Sequence, residues 1–119
     1  MNNFNSATIE GYVTHDPRVK ETKTGKSVCT FAVAMNHHSE ADSASRVSYI
    51  DIETWDKLAD ICSKHLAKGK RVIVHGKIRQ DRWEGKEGRV QSRIIVVGRE
   101  VQFLDPIRKV ETVPAQQAS

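Results

Sequence analysis

The sequence predicts an all-β domain with one helix, and two patterns support that fold class. Over most of the chain, apolar and polar residues alternate with the two-residue period of a half-buried strand. Over residues 56–68 the period changes to that of an amphipathic helix, whose apolar side carries Leu58, Ile61, Cys62 and Leu66. With 119 residues, the chain is long enough for a single domain with a modest core.

Three predicted strands precede this helix. The first covers residues 5–14, and a short edge segment at residues 18–22 follows it. The second covers residues 28–36, where side chains of one parity are expected to face the core: Cys29, Phe31, Val33 and Met35. The third covers residues 46–55; one of its sides is apolar, and the other carries Tyr49, Asp51, Glu53 and Trp55.

Both ends of the helix carry residues typical of helix termini. Asp56 is expected to cap the start, because an Asp side chain accepts hydrogen bonds from free backbone N–H groups. Gly69 is expected to end the helix in a left-handed conformation. This is the only helix that the sequence predicts.

Two further strands are predicted after the helix. Residues 71–80 alternate again, and the positions predicted to face inward are Val72, Val74, Gly76 and Ile78. Residues 81–88 are rich in charge and glycine, which predicts a long hairpin loop that carries Trp83. Residues 90–104 supply the last strand, with an interruption near Gly98.

Three strands, one helix and two strands form the element order of a five-stranded barrel of the oligonucleotide/oligosaccharide-binding (OB) type. We therefore expect one OB-fold domain over residues 1–104. Residues 105–119 lack an apolar pattern and predict a short flexible tail without an acidic tip. On the barrel, Ile73, Ile95 and Val97 at outward positions suggest a surface that another subunit covers.

The positive charge of the chain is concentrated in one segment. The formal net charge is +4, yet residues 64–99 alone hold eleven Lys and Arg against three acidic residues. Such a surface is typical of a protein whose partner is a polyanion. The sequence shows neither a signal peptide nor an apolar stretch of membrane-spanning length, which predicts a cytoplasmic, nucleoid-associated protein with no membrane partner.

Catalytic and metal motifs are not evident in the sequence. The five histidines are scattered, so we expect neither an enzyme nor a cofactor. His37 and His38 are the best metal candidates, but adjacent histidines in a polar loop more often contact solvent or anions. Cys29 and Cys62 have no metal-ligand spacing and are expected to be two small core residues.

Binding of single-stranded nucleic acid requires flat rings for base stacking and cations for the phosphates. The candidate stacking residues are Tyr49, Trp55 and Trp83. The candidate phosphate contacts are Arg71, Lys77, Arg79, Arg82, Lys86, Arg89 and Arg93. Two alternatives stay open: Trp55 at a strand-to-helix junction is also compatible with a core position, and the charged segment with a merely solvated sheet face.

Two carboxylates lie between the candidate rings of the third strand. Asp51 and Glu53 share a side with Tyr49 and Trp55, where they would repel a phosphate chain. Either they hold Lys or Arg side chains from neighbouring strands, or they are free and weaken binding across the middle of the site or force the nucleic acid along another path.

An ordered set of short motifs resembles the bacterial single-stranded DNA-binding protein family over about residues 5–104. The motifs are Gly11-Tyr12-Val13, Asp16-Pro17, Gly25, Phe31-Ala32-Val33-Ala34, Trp55-Asp56-Lys57-Leu58-Ala59, Leu66-Ala67-Lys68-Gly69, Val74-His75-Gly76-Lys77-Ile78-Arg79 and Arg82-Trp83. The resemblance implies an OB-fold, sequence-tolerant coating of single-stranded DNA in replication, recombination and repair, and a homotetramer. It also implies base stacking by Tyr49, Trp55 and Trp83.

The chain departs from that family at three places. A fourth family tryptophan would fall near Ser39, where this chain has only His37 and His38. Asp51 and Glu53 stand where the family tends to have basic or apolar residues. The acidic tip that recruits partner proteins in the family is also missing: either the chain is truncated before it or this is a short variant, and no tail-binding partner is assigned.

Two other functions fit the same pattern. The first is a primosome-type OB adaptor that joins replication proteins and binds DNA only weakly, which Asp51, Glu53 and the missing acidic tail favour slightly. The second is an RNA-binding OB domain, because stacking and phosphate contacts do not by themselves exclude a 2′-hydroxyl.

Overall fold

The computed structural model describes residues 3–38, 45–104 and 111–114. In chain order the elements are β1 (Ala7–Val13), β2 (Arg18–Glu21), β3 (Ser27–His38), β4 (Ser45–Trp55), α1 (Asp56–His65), β5 (Arg71–Glu84), a short 3-10 turn (Lys86–Gly88), β6 (Val90–Leu104) and β7 (Glu111–Pro114). The predicted class, mostly strands with one helix, is confirmed. Within the described ranges, no helix is long and apolar enough to cross a membrane.

β1 closes the sheet into a barrel because it pairs with strands on two sides. The strand order is β1-β5-β6-β4-β3-β2, and β1 also pairs with β3, where Tyr12 lies opposite Ala34. A side chain at Gly11 would collide with the carbonyl oxygen of Ala34, so glycine permits this close approach. The ring of β1, β5, β6, β4 and β3, with α1 between β4 and β5, confirms the five-stranded OB-fold.

The barrel interior is filled by the positions that alternation predicted. Cys29, Phe31 and Val33 are buried on β3, and Met35 packs against the same cluster. The helix adds Leu58 and its neighbours, which close one part of the core. The remaining buried apolar members of this cluster are Val13, Ile52, Ala59, Cys62, Leu66, Val72, Val74, Val96 and Val101.

The two cysteines are free and buried, as predicted. Burial raises the pKa of Cys29 to about 11, although a hydrogen bond with Thr54 opposes the shift. Burial likewise raises the pKa of Cys62 to about 12, with a smaller contribution from neighbouring Cys29. Both thiols are therefore neutral core side chains at physiological pH.

The predicted interruption near Gly98 is a bulge on β6. His75 pairs with Glu100 and Gly76 pairs with Gly98, which leaves Arg99 as the extra residue. A side chain at Gly76 would collide with the carbonyl oxygen of Val97. The bulge thus lies where two backbones come close together.

The helix ends differ from those predicted. The N-cap is Trp55, without a side-chain hydrogen bond, and Asp56 is already the first helical residue at φ +58°. β4 runs directly into α1, so the chain turns at Asp56 itself and the last residue of the strand serves as the N-cap. The helix ends at His65 because Leu66 is extended; Gly69, at φ +90°, belongs to the turn before β5.

The β5–β6 hairpin is longer than predicted, and two burial predictions were wrong. β5 continues to Glu84, so Trp83 lies on a strand opposite Gln91 and not in a loop. Ile78, predicted inward, is 46% exposed because the hairpin extends beyond the barrel. Ile95, predicted to lie exposed on a surface that another subunit covers, is only 2% exposed within its own chain.

The predicted boundary between the OB-fold domain and the tail, at residue 104, is close to the end of β6. Glu111–Pro114 pair with β6, a strand that the sequence pattern did not predict. The rest of the predicted tail, residues 105–110 and 115–119, lies outside the described residues.

Candidate nucleic-acid interface

The outer face of β4 carries the first two candidate rings. Ile52 and Thr54 point into the barrel and are buried, so the alternation sends Tyr49 and Trp55 outward. Tyr49 is 68% exposed and lies opposite the small Ala34 of β3. This ring is open to a partner on the surface of the barrel.

Trp55 is partly buried, so its exposure is intermediate between the core position and the open stacking position that the sequence left as alternatives. Its indole Nε1 donates a hydrogen bond of 2.7 Å to Oε1 of Glu53, two residues earlier on the same strand. Trp55 is not a member of the barrel core cluster. The ring therefore belongs to the outer face, with its polar edge already bonded.

Trp83 supplies the third ring from the protruding part of β5. It is 47% exposed. The guanidinium carbon of Arg93, on the neighbouring strand, lies 6.0 Å from the ring centroid. A cation at this distance is attracted to the electron-rich ring face, which favours an ordered tryptophan on the hairpin.

An arginine–carboxylate network, formed by Asp51, Glu53, Arg79, Asp81 and Arg93, occupies the surface between these rings. Arg79 donates to both oxygens of Glu53, at 2.9 and 3.0 Å. It also donates from Nε and Nη2 to the two oxygens of Asp81, at 2.8 and 3.1 Å. Arg93 lies 3.7 Å from Asp51 and 4.0 Å from Asp81.

The network changes the electrostatics at the middle of the face. The hydrogen bonds that Arg79 donates to Asp81 and Glu53 raise the pKa of its guanidinium, and the bond that Asp81 accepts from Arg79 lowers the pKa of that carboxyl. Of the two alternatives for Asp51 and Glu53, the structure shows the first: they hold arginines from neighbouring strands. Three carboxylates thereby compensate two cations that the sequence assigned to phosphate.

The other candidate cations are spread over three places. Lys77 is exposed on the same side of β5 as Arg79, whereas Arg82 points to the opposite side from Trp83 by strand alternation. Lys86 and Arg89 are exposed near the hairpin turn. Arg71 is about twelve strand residues, or roughly 40 Å, from Trp83.

Arg71 is engaged with another part of the barrel. It forms an ion pair with Glu10 of β1, and that hydrogen bond raises the pKa of the guanidinium. The structure therefore brings together Arg79, Arg93 and Trp83, keeps Lys77 nearby, and places Arg71 at the far end of β5.

A groove beside the network contains residues that sequence reasoning missed. Its volume is about 390 Å³, and buried Ile95 forms part of its lining. Arg18 and Lys20 of β2 line the groove, together with His15. The sequence did contain a sign of this: the two cations flank Val19, so strand alternation points both to the same side of β2. On β3 they lie opposite Thr30 and Val28.

The loop in which a fourth family tryptophan would fall lies largely outside the described residues. β3 continues to His38, and His37 is exposed on it. Residues 39–44 are not described. Across the described portion of the chain, no group of three or more His, Cys, Asp or Glu residues could hold a metal ion.

A closed five-stranded barrel with one helix and an outward face of aromatic and cationic side chains defines an OB-fold binding domain. Residues 4–104 match the model of the "Single-strand binding protein family". The chain belongs to this family, which confirms the resemblance seen in its motifs.

Curated relatives cover most of this chain. A "Single-stranded DNA-binding protein" from Treponema pallidum is 34% identical over 109 residues, which is 90% of this chain and 61% of that protein. The Caldanaerobacter subterraneus protein of the same name is 36% identical over 104 residues, 87% of this chain and 69% of the relative. A Thermotoga maritima protein of that name is 32% identical over 116 residues and covers 95% and 82% of the two chains.

A solved structure shares the fold. The structure titled "Plasmodium falciparum SSB complex with ssDNA" superposes with a TM-score of 0.82 at 24% sequence identity. The match covers 88% of this chain and 98% of the other. This similarity supports the barrel topology described above.

Proposed function

We propose that this protein binds single-stranded DNA without regard to base sequence, and that it coats and protects DNA in replication, recombination and repair. It acts as a binding protein, without catalysis or a cofactor. The observation that carries the proposal is the outward placement of three rings in a single-strand binding family member: Tyr49 and Trp55 on the outer face of β4, and Trp83 on the protruding β5–β6 hairpin.

Base stacking supplies the sequence-independent part of the binding. Each stacked base contributes on the order of 1 to 3 kcal/mol whichever base it is, because every base has a flat face. Tyr49 offers the most open ring, and Trp83 is about half exposed with Arg93 near its ring. Three rings would therefore contribute several kcal/mol.

Cations of two kinds would contact the phosphates. Lys77, Arg82, Lys86 and Arg89 are exposed and can follow a flexible strand. Arg71, Arg79 and Arg93 hold carboxylates and would reach a phosphate only by exchanging that partner. Arg18 and Lys20 add positive charge to the groove, whose lining also includes Asp51, Glu53 and Arg93.

The proposal includes a cytoplasmic, nucleoid-associated homotetramer, as the family resemblance implies. Ile78, Val90 and Ile94 support self-association because they are large exposed apolar side chains on the hairpin. Light scattering on the purified protein measures the mass directly. A stable monomer at micromolar concentration would contradict this part of the proposal.

The deciding experiment is a titration of intrinsic tryptophan fluorescence with poly-dT at two salt concentrations. We expect strong quenching by stacking on Trp55 and Trp83, with modest salt dependence. Duplex DNA of equal phosphate content should compete poorly, because its bases are not available for stacking. Binding that duplex abolishes, or that causes no quenching, would reduce the positive surface to an electrostatic patch.

One observation favours the adaptor function as a second candidate. The arginine–carboxylate network contains more carboxylates than arginines, so the middle of the face contributes little attraction for phosphates. A coating protein covers long single strands at stoichiometric amounts, whereas an adaptor binds DNA weakly and holds a partner protein. Mass measurement on long poly-dT at saturating protein separates the two.

A further inference from the structure

Glu53 lies between a candidate stacking ring and an arginine. Its side chain is only 12% exposed. Oε1 accepts hydrogen bonds from Nε1 of Trp55 at 2.7 Å and from Nη1 of Arg79 at 2.9 Å. Oε2 accepts from Nη2 of Arg79 at 3.0 Å, so both carboxylate oxygens are engaged.

Arg79 holds this carboxylate in one orientation. A guanidinium paired through two parallel N–H groups imposes a fixed plane on its partner. The other edge of Arg79 is bonded to Asp81 by Nε and Nη2, at 2.8 and 3.1 Å. Rotation of the Glu53 carboxylate would therefore break its hydrogen bonds to a guanidinium that Asp81 also holds in place.

The anchored carboxylate in turn limits the movement of Trp55. An indole has two side-chain torsions and one polar atom, so a short hydrogen bond to Nε1 fixes the ring plane once the strand is formed. Trp55 is only partly buried and is neither a member of the core cluster nor one of the side chains packed against it. The hydrogen bond supplies the missing constraint.

We propose that Glu53 is a positioning residue that fixes the indole plane of Trp55 for stacking, with Arg79 as its anchor. The stacking role of the ring rests on the proposed function. The charge of Glu53 has the opposite effect, because a carboxylate repels nearby phosphates. The two effects have opposite signs and can be separated by substitution.

Two substitutions separate the effect of the Glu53 charge from the effect of its hydrogen bond with Trp55. Glu53→Gln removes the charge but keeps a side-chain oxygen that can accept from Trp55. Glu53→Val removes both and suits the β-strand. Glu84→Gln is the matched charge control, because Glu84 is exposed near the hairpin turn and points to the opposite side of β5 from Trp83.

The first readout needs no DNA. The indole N–H groups of the two tryptophans give two signals in a ¹H–¹⁵N spectrum, which Trp83→Phe assigns. We expect Glu53→Val to shift the Trp55 signal and to speed its exchange with water, and Glu84→Gln to leave it unchanged. An unaltered Trp55 signal in a folded Glu53→Val protein would overturn the proposal.

The second readout is affinity for an oligo-dT strand at fixed salt. If charge alone matters, Glu53→Gln and Glu53→Val bind equally and both more tightly than the parent protein. Positioning predicts that Glu53→Val binds about 3- to 10-fold more weakly than Glu53→Gln, the fold-change of one lost hydrogen bond. Equal affinities would overturn the positioning role.

A third variant covers the case in which Glu53→Val does not fold. Arg79→Gln removes the guanidinium that anchors Glu53. The Arg79 side chain is 42% exposed, so this substitution does not disturb the barrel core. We expect faster exchange of the Trp55 indole in this variant, and an unchanged rate would contradict the anchoring. If the parent protein fails to bind dT at all, the proposed function fails, while the indole signals still decide whether Glu53 holds the ring.

Discussion

The guanidinium of Arg93 lies 6.0 Å from the centre of the Trp83 ring, on the neighbouring strand of the protruding hairpin. Arg93 also lies near Asp51 and Asp81, and Asp81 is bonded to Arg79. Since Arg79 reaches Trp55 through Glu53, both candidate tryptophans contact one arginine–carboxylate network. The network therefore links the barrel face to the hairpin.

Trp83→Ala is expected to weaken single-strand binding by about 1 to 3 kcal/mol, because it removes one stacking ring. The ring is 47% exposed, so the thermal midpoint should change little. Filter binding or anisotropy with an oligo-dT strand measures the loss. Trp83→Phe keeps an aromatic face and should recover part of the affinity; an Ala variant with parental affinity would remove Trp83 from the site.

Substitution of both Arg18 and Lys20 by Ala tests the groove wall on β2. If each side chain contacts one phosphate, the slope of log K against log salt should fall by about 1.4, as counterion release at single strands predicts. Titrations at four salt concentrations give the slope. The double variant of Lys57 and Lys64, exposed on α1, is the control for lost charge; an equal effect of both pairs would argue against specific contacts at the groove.

Cys29 and Cys62 should be unreactive toward a thiol reagent at pH 8 in the native protein and reactive after unfolding. Burial raises the pKa of these thiols to about 11 and about 12, from an ordinary 9.0. Their contribution to stability is thus complete below about pH 9 and is lost as the pH rises toward the folded-state values. Thiol titration and thermal unfolding at alkaline pH measure both effects; rapid labelling of the native protein would contradict the burial.

Gly11→Ala tests the closure of the barrel. The added methyl group would collide with the carbonyl oxygen of Ala34 at the point where β1 meets β3, and overpacking of this kind costs about 1 to 3 kcal/mol or more. Chemical unfolding gives the free energy. Gly85→Ala is the matched control, because its methyl group would meet the flexible side chain of Gln91. Equal losses in the free energy of unfolding would show that barrel closure does not specifically require glycine at position 11.

Local patterns predicted the strands whose two sides differ. Phe31 and Val33 are buried and Tyr49 is exposed, as alternation required, because one side of each strand meets the core and the other meets water. The extension of the β5–β6 hairpin to Glu84 was not predicted, for the same reason. Beyond the barrel both of its sides are solvated, so residues 81–84 carry no apolar alternation and resemble a loop.

The sequence predicted the aromatic side chains of the candidate site but not the contacts between side chains of different strands. The outward direction of Trp55 follows from strand parity, whereas the partner of Glu53 depends on how β4 and β5 are placed around β6. The same register buries Ile95, and the pairing of β2 with β3 brings Arg18 and Lys20 to the groove. None of these relationships lies within one segment.

The sequence by itself determined the class of fold, the helix and the side of β4 that faces outward, because each depends on a period read along a single strand or helix. Only the tertiary structure decided that Asp51 and Glu53 hold Arg93 and Arg79, and that Trp83 extends from a strand. Those outcomes depend on the register between strands distant in sequence, which is set by closure of the barrel around its core.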